Sequence, residues 1–418
     1  MPFILVGGAA VRVAWIVVYP AKPASDFRWY RDVGISIANG HGIFYAGQPT
    51  ATRPPGYSIL LAFANVLSGD SLLANRLLTA AFGIGTIWLA YLIAKRLFHS
   101  ELTGRLTLLI LAFFPNQIAY GGLTASELPF SFFILLGAWI SITRPRRTWT
   151  FVAAGSALGA AALIRPVAVL LPVVIGIAAF RRAGWKVFLR WTLVGYLVIV
   201  AFLAPWFIRN HAAFGRAAFS TNEGESLLEG TFPPMKSSAA VLALSGKLVP
   251  PVANAAVNDA NRETYALHYM RTHLVVMARL VPHKLYQLNW KDSDAILWTI
   301  SGLHFQHVGS LRTWQKIDDD YYLAVVALAL AGVSLVFIQR NRRSHFSWLP
   351  FSIWIVTTAF YLPFASLPRY HAPLVPWITM YAGAFGAFLI GHAYDRSPPG
   401  LAAAAPDGTE NADGETGA

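Results

Sequence analysis

Apolar runs long enough to cross a lipid bilayer recur along this chain, and they limit what it can fold into more than any other feature. A hydrocarbon core of about 30 Å is crossed by roughly 20 apolar residues in a helix. Such runs fall near residues 3–20, 72–94, 106–122, 125–142, 149–164, 166–180, 190–208, 321–338, 347–365 and 372–392. The fifth and sixth are short, and the break at Arg165–Pro166 reads as a tight turn or a kink. Hydrophobic residues make up 56% of the 418 and charged residues 13%. A soluble domain carries about 25% charged residues, so most of this surface faces something other than water. The expected fold class is all-α: a polytopic integral membrane protein of about ten transmembrane helices.

The charges orient these helices. A formal charge of +13 suits nucleic acid only when basic residues share a soluble face, and here they stand in short clusters between apolar runs. Lys95, Arg96 and Arg105 separate the second and third runs, and Arg144, Arg146 and Arg147 the fourth and fifth. Arg181, Arg182, Lys186 and Arg190 follow the sixth, and Arg340, Arg342 and Arg343 the eighth. On this count all four clusters fall on one side, and short basic loops are cytoplasmic. Both termini are then cytoplasmic, and nucleic acid is not an expected partner. The first run has Arg12 as its first charge and no clear cleavage site, so it reads as a retained helix rather than a signal peptide. The absence of cysteine removes disulfides, thiolate metal sites and cysteine nucleophiles.

The extracytoplasmic side then receives residues 21–71, 123–124, the turn at Arg165, the long segment 209–320 and Leu367–His371. Segment 209–320 is polar, with too little apolar content for an obvious core of its own. The membrane-embedded domain is expected over 1–394, and 395–418 has the composition of a disordered cytoplasmic tail. Neither a solenoid repeat nor the inverted repeat of many transporters is visible.

Charges near membrane depth usually line a cavity or face water, and several isolated ones converge on the outer side. Asp26 opens SDFRWYRDVG after the first run, with Tyr30 four residues on and so on the same helical face. Ser25 reads as a cap for this helix, and Phe27, Trp29 and Tyr30 as an interfacial aromatic belt. Arg53 begins RPPGY, a rigid turn that ends in Tyr57 and offers a forked donor to phosphate or carboxylate. Glu127 stands in SELPF at the outer end of the fourth run, where it also complements a helix dipole. Arg165 in LIRP, Arg209 in PWFIRN and Arg369 in LPRYHAP complete the set. Each alone is explained as a loop residue or a snorkelling side chain. Four arginines at four separate outer helix ends suit a lipid-linked phosphate.

Other polar groups read as structural. His304 and His307 lack a third ligand and read as solvated loop residues, leaving no metal ligands assigned. Asp318, Asp319 and Asp320 read as a solvated cap before the eighth helix. No phosphate-binding glycine loop, HExxH or GxSxG occurs, which argues against nucleotide hydrolysis and the corresponding zinc or serine hydrolases.

From Asp26 to about Pro376 these motifs, in this order, resemble the GT-C class of membrane glycosyltransferases. The likeness is to family 39: the bacterial relatives of protein O-mannosyltransferases and the lipid A aminoarabinose transferases. It rests on Asp26 with Tyr30, the PPGY turn, SEL, LIRP, PWxxRNxxxFG and PRYHxPxxP. The resemblance implies a GT-C-like bundle with interfacial helices in the first outer loop, in a bacterial plasma membrane. It implies inverting transfer of a sugar, hexosyl or pentosyl, from a polyprenyl-phosphate donor to an acceptor hydroxyl or amine. Asp26 would be the catalytic base, and Arg53, Glu127, Arg165, Arg209 and Arg369 would shape the donor pocket, with Tyr30 and Tyr57 beside them. The sequence departs from the family in two ways. The mannosyltransferases carry an Asp-Glu pair where Phe27 follows Asp26, which brings Asp32 forward as a substitute; and the chain is shorter, without a folded C-terminal domain.

The acceptor stays open among protein, lipid and glycan. No cofactor is identified, and a divalent metal stays open. Membrane lipid is an expected partner. Two other readings compete: a transporter or flippase of lipid-linked saccharides, which would carry charges near mid-bilayer, and a non-catalytic lipid-binding subunit.

Overall fold

The structure, a computed structural model, describes residues 1–143, 146–180, 183–232, 238–301, 308–338 and 345–395. Arg144, Arg181, Arg182, His304, His307, Arg340, Arg342, Arg343 and the expected tail from residue 396 onward lie outside the described residues. Helices dominate. In chain order they are α1 (Pro2–Val18), α2 (Ser25–Ala38), α3 (Gly56–Ser68), α4 (Leu72–Phe98), α5 (Glu101–Ala112), α6 (Pro115–Gly121), α7 (Glu127–Thr143), α8 (Thr148–Ala162) and α9 (Leu171–Phe180). They continue with α10 (Trp185–Phe214), α11 (Glu223–Glu229), α12 (Ser238–Leu248), α13 (Ala255–Thr272), α14 (Leu274–Asn289), α15 (Asp294–Ser301), α16 (Val308–Ile338), α17 (Leu349–Tyr361) and α18 (Val375–Asp395). The expected all-α class is observed, apart from a two-residue hairpin pairing Phe44–Tyr45 with Gln48–Pro49.

Every expected apolar run coincides with a helix or a helix pair, but fewer are full spans. Among the described residues, Leu72–Phe98, Trp185–Phe214, Ser310–Ile338 and Pro368–Gly391 are long and apolar enough to cross a membrane. A fifth candidate is bent: α5 and α6 meet at 61° rather than forming one helix over 106–122. Pro115 is the cause, because proline disfavours helix at the residue before it and supplies no N–H. The carbonyls freed at the end of α5 are not left bare. Arg12 of α1, fully buried, donates to Ala112 O at 2.8 Å and Leu111 O at 3.2 Å. Along α10, Leu189, Leu193, Leu197 and Val200 stay exposed at helical spacing, an apolar stripe suited to lipid.

The segment between α1 and α4 packs against the bundle. α2 packs on α3, with Ser58 Oγ donating to Tyr30 O at 3.0 Å. Phe27, Trp29 and Tyr30, expected at the membrane interface, are buried in the core instead. Ser25 is not a cap: the cap position belongs to Ala24, and no side chain accepts a hydrogen bond there. The Asp318–Asp320 triplet is corrected as well. α16 begins before it, so the triplet lies inside the helix, and Asp318 is wholly buried.

α4 and α7 run in the same direction, with Gly83 beside Leu128 and Gly85 against Phe132. Their N-terminal ends therefore share one end of the bundle, while Lys95 and Arg96 close the far end of α4. Segment 209–320 has a small core of its own, built on Leu227, Leu228, Val249 and Ala266.

Candidate active site

Three arginines and two carboxylates from distant parts of the sequence meet at this common end. Asp26 lies in the first turn of α2, Arg53 in the turn before α3, Glu127 at the start of α7, Arg165 in the turn after α8, and Arg369 in a short 3₁₀ turn before α18. Arg53 Nη2 donates to Asp26 Oδ1 and Arg369 Nη1 to Asp26 Oδ2, both at 2.8 Å. Arg369 also reaches Glu127 Oε1, through Nη2 at 2.8 Å and Nε at 3.0 Å. Arg165 Nη2 meets the same oxygen at 2.6 Å. The result is a continuous chain, Arg53–Asp26–Arg369–Glu127–Arg165, whose formal charges (three positive, two negative) leave one net positive charge.

Burial makes this chain costly to disturb. Glu127 is 1% and Arg165 7% exposed. Charges at such depth persist only when paired. Aromatic rings carry part of the load: Phe27 lies 5.4 Å beneath the Arg369 guanidinium and Phe130 5.9 Å from that of Arg165. Phe27 thus meets the arginine through its π face. Burial on its own would raise the Asp26 carboxyl, but the adjacent charges of Arg53 and Arg369 outweigh it and hold it below the ordinary range.

The network borders a cavity of about 320 Å³ lined by Asp26, Tyr30, Arg53, Arg165 and Arg369, and by Glu223 and Glu229 of α11. Tyr361 and Tyr370, stacked at 4.4 Å, form part of the same wall. Of the residues expected from sequence, Asp26, Tyr30, Arg53, Arg165 and Arg369 line the cavity, and Glu127 stands behind them. Tyr57 and Arg209 do not join them. The Tyr57 hydroxyl is bound to Thr79 Oγ1 at 2.6 Å, and its ring meets Tyr30 edge-on. Arg209 donates to Thr50 O at 2.9 Å and Ile43 O at 2.7 Å, so it fastens the segment between α2 and α3 to α10. Asp32 pairs with Arg28 and Arg31 outside the chain of five.

A second polar group, not foreseen from the sequence, holds the Arg369 turn. His371 Nε2 lies 2.7 Å from Asp292 Oδ1, and Nδ1 lies 2.6 Å from Leu288 O. Both ring nitrogens thus face oxygens, which fixes the orientation of the imidazole. Tyr322 stacks on the imidazole at 4.8 Å. Asn116 of α6 joins the group twice: its side chain donates to Asp292 Oδ1 at 2.9 Å and its backbone N–H to Asp318 Oδ1 at 2.8 Å. Asp294, close by, is raised to about 6 by burial, against the pull of Arg369. Among the described residues, no group of three or more His, Asp or Glu side chains is arranged to hold a metal ion.

Residues 52–208 match the family model described as dolichyl-phosphate-mannose-protein mannosyltransferase. The fold is similar to the archaeal oligosaccharyltransferase AglB from Archaeoglobus fulgidus, solved with an inhibitory peptide and a dolichol-phosphate. That likeness has a TM-score of 0.54 at 14% identity, over 94% of this chain and 51% of that one. The Archaeoglobus fulgidus oligosaccharyltransferase tethered to an acceptor peptide gives 0.53 at 14% identity, over 94% and 50%. ArnT from Cupriavidus metallidurans, solved with undecaprenyl phosphate, gives 0.44 at 15% identity, over 94% and 78%. The chain spans about half the length of the two oligosaccharyltransferase structures, and no curated protein matches its sequence. The fold is that of the GT-C class, and the chain resembles the family 39 membrane glycosyltransferases.

Proposed function

We propose that this protein is a membrane glycosyltransferase that takes a sugar from a polyprenyl-phosphate carrier and passes it to an acceptor hydroxyl or amine, with inversion. The observation that carries this reading is the buried five-residue charge chain with its single net positive charge. A phosphodiester brings one negative charge and gains another as the sugar leaves. Guanidiniums fixed before the reaction stabilise that developing charge without reorganising. Such a donor is already activated, so no nucleotide is needed.

The resemblance to family 39 implies that Asp26 is the base. Each of its oxygens is tied to a guanidinium, so accepting a proton requires the incoming phosphate to draw Arg53 or Arg369 away. Until then Asp26 orders the two arginines. Lys95 and Arg96 at the opposite end of α4 favour a cytoplasmic location for that end, and hence an extracytoplasmic active site with both termini inside.

Transfer of label from undecaprenyl phosphate carrying ¹⁴C-mannose, glucose or galactose, each supplied to membranes containing the protein, tests the reading. Arg369→Ala should lower transfer by about 10²–10³-fold, as loss of a preorganised charge donor does. Full transfer by that variant would remove the phosphate site. A flippase needs charges near mid-span, and the location of the network at helix ends disfavours it.

A further inference from the structure

Segment 209–320 is polar on average, yet α14 within it turns an apolar face outward. Leu274 and Val275 are 69% and 65% exposed, and Leu285, Tyr286 and Trp290 are exposed as well. Leu274, Val275, Ala278, Pro282, Leu285 and Tyr286 recur at spacings of three and four, so they share one side of the helix. The opposite side is the packed one, with Lys284 and Leu288 buried. A continuous exposed apolar face of this kind marks a place of contact rather than a solvated surface.

Two attachments set the level of α14. Lys284 Nζ donates to Leu362 O at 2.7 Å, just past the C-terminal end of α17. Leu288 O lies 2.6 Å from His371 Nδ1, beside the Arg369 turn, which α14 also touches directly. That turn opens Pro368–Gly391, a stretch long and apolar enough to cross a membrane. α14 therefore lies where a span meets the bilayer surface. Its 16 residues extend about 24 Å, short of the ~30 Å of a hydrocarbon core. Charge fits the same place. Between Glu263 and Asp292 the sequence has no acidic residue, while Arg271, Arg279, Lys284 and Lys291 are basic. Of these, Arg271, Arg279 and Lys291 are exposed. Tyr286 and Trp290 stack at 5.0 Å along the exposed side, and such aromatic residues settle at headgroup level.

We infer that α14 lies in the plane of the bilayer surface and that phospholipid covers its apolar face. The apolar side chains rest on acyl chains, and Arg271, Arg279 and Lys291 meet lipid phosphates. The buried side of the same helix holds the chain after α17 and the turn that carries Arg369. The lipid surface thereby becomes part of what positions an arginine of the charge chain. This coupling to donor binding rests on the transferase reading; the seating of α14 in lipid does not.

The chain has no cysteine, so a single nitroxide label reports one site. Val275→Cys and Leu285→Cys, labelled in the full chain in phosphatidylcholine–phosphatidylglycerol vesicles, should be reached by oxygen more readily than by a water-soluble nickel chelate. Asn261→Cys on α13, exposed and outside the patch, should show the reverse. Labels on the α14 face as open to nickel as the α13 label would overturn the inference. So would spin–spin broadening on that face that disappears on dilution with unlabelled chain, because a second copy would then cover it. The coupling is read separately. Val275→Asp combined with Leu285→Asp should weaken undecaprenyl phosphate binding by roughly tenfold, about what one apolar side chain lost from lipid is worth. Val275→Ser combined with Leu285→Ser should weaken it less, and Asn261→Asp not at all. Unchanged binding in both double variants would overturn the coupling, while the labels still decide where α14 lies. Absence of undecaprenyl phosphate binding by wild type would overturn the transferase reading and the coupling with it.

Discussion

The guanidinium of Arg369 touches Glu127 twice, through Nε at 3.0 Å and Nη2 at 2.8 Å. Arg165 converges on the same oxygen, so one buried carboxylate answers two buried cations. Glu127→Gln removes that charge and leaves both arginines under-compensated. Breaking a buried ion pair from one side costs about 3–5 kcal/mol. Thermal unfolding in detergent should begin several degrees lower in the variant, and an unchanged melting curve would contradict the shared-carboxylate picture.

Phe27 supplies the second prediction. Its ring supports Arg369 from below, and a contact of this kind is worth about 1–2 kcal/mol when desolvated. Phe27→Leu should weaken undecaprenyl phosphate binding by about 5–30-fold with little change in fold. Phe27→Glu would bring the local charge from one positive to zero and should weaken binding further. Tighter binding in the Glu variant would reverse this account.

The helices α11 and α13 should respond to pH in a defined direction. Burial, ahead of neighbouring charges, raises Glu223 to about 7 and Asp259 to about 6 in the folded protein. A carboxyl raised on folding contributes stability that is present below its ordinary range and is lost as pH rises through its folded value. Residues 223–232 and 238–272 should therefore be better protected from hydrogen exchange at pH 5 than at pH 8, after correction for intrinsic rates. Glu223→Gln should flatten the difference, and greater protection at pH 8 would show the sign to be wrong.

Asn116 joins α6 to Asp292, and through it to the Arg369 turn. Asn116→Leu leaves Asp292 without one donor at full burial, a loss of about 1–3 kcal/mol. Transfer activity should fall mainly through weaker donor binding, read as a raised KM. A change confined to kcat would instead mean that the turn keeps its position.

Gly230 lies so close to the segment after α17 that a Cβ would stand 1.9 Å from Pro363 O. Gly230→Ala must push α11 or that segment aside, and overpacking of this kind costs about 1–3 kcal/mol. Because Phe364 also lines the cavity beside the charge chain, the variant should lose transfer activity along with stability. Wild-type activity in it would show that the cavity wall tolerates displacement.

The charge chain was legible in the sequence where charge stood without a topological reason. Asp26, Arg53, Glu127, Arg165 and Arg369 each sit alone beside an apolar run, and the structure brings those five into contact. Arg209 carried the same signal but binds backbone carbonyls, and no residue type announces a carbonyl partner far away in the chain. Glu223 escaped notice because α11 has only seven residues, too few for an amphipathic period to show. Asp318 was misread because the polar turns before it disguise the start of a long helix. The break at Pro115 was visible in principle, since proline disfavours helix just before it; the apolar residues on either side hid it.

Arg12 has a consequence for how the protein enters the membrane. An arginine inside an apolar helix opposes insertion by about 2.5–3.5 kcal/mol, and two of its acceptors, Leu111 O and Ala112 O, belong to α5. When α1 emerges from the ribosome, α5 has not yet been made. Insertion of α1 should therefore be less favourable before α5 is made than after it, when Leu111 O and Ala112 O can accept from Arg12. Arg12→Leu would let α1 enter early and alone, yet it would strip two carbonyls of their donors at the helix break, exchanging easier insertion for a weaker finished fold.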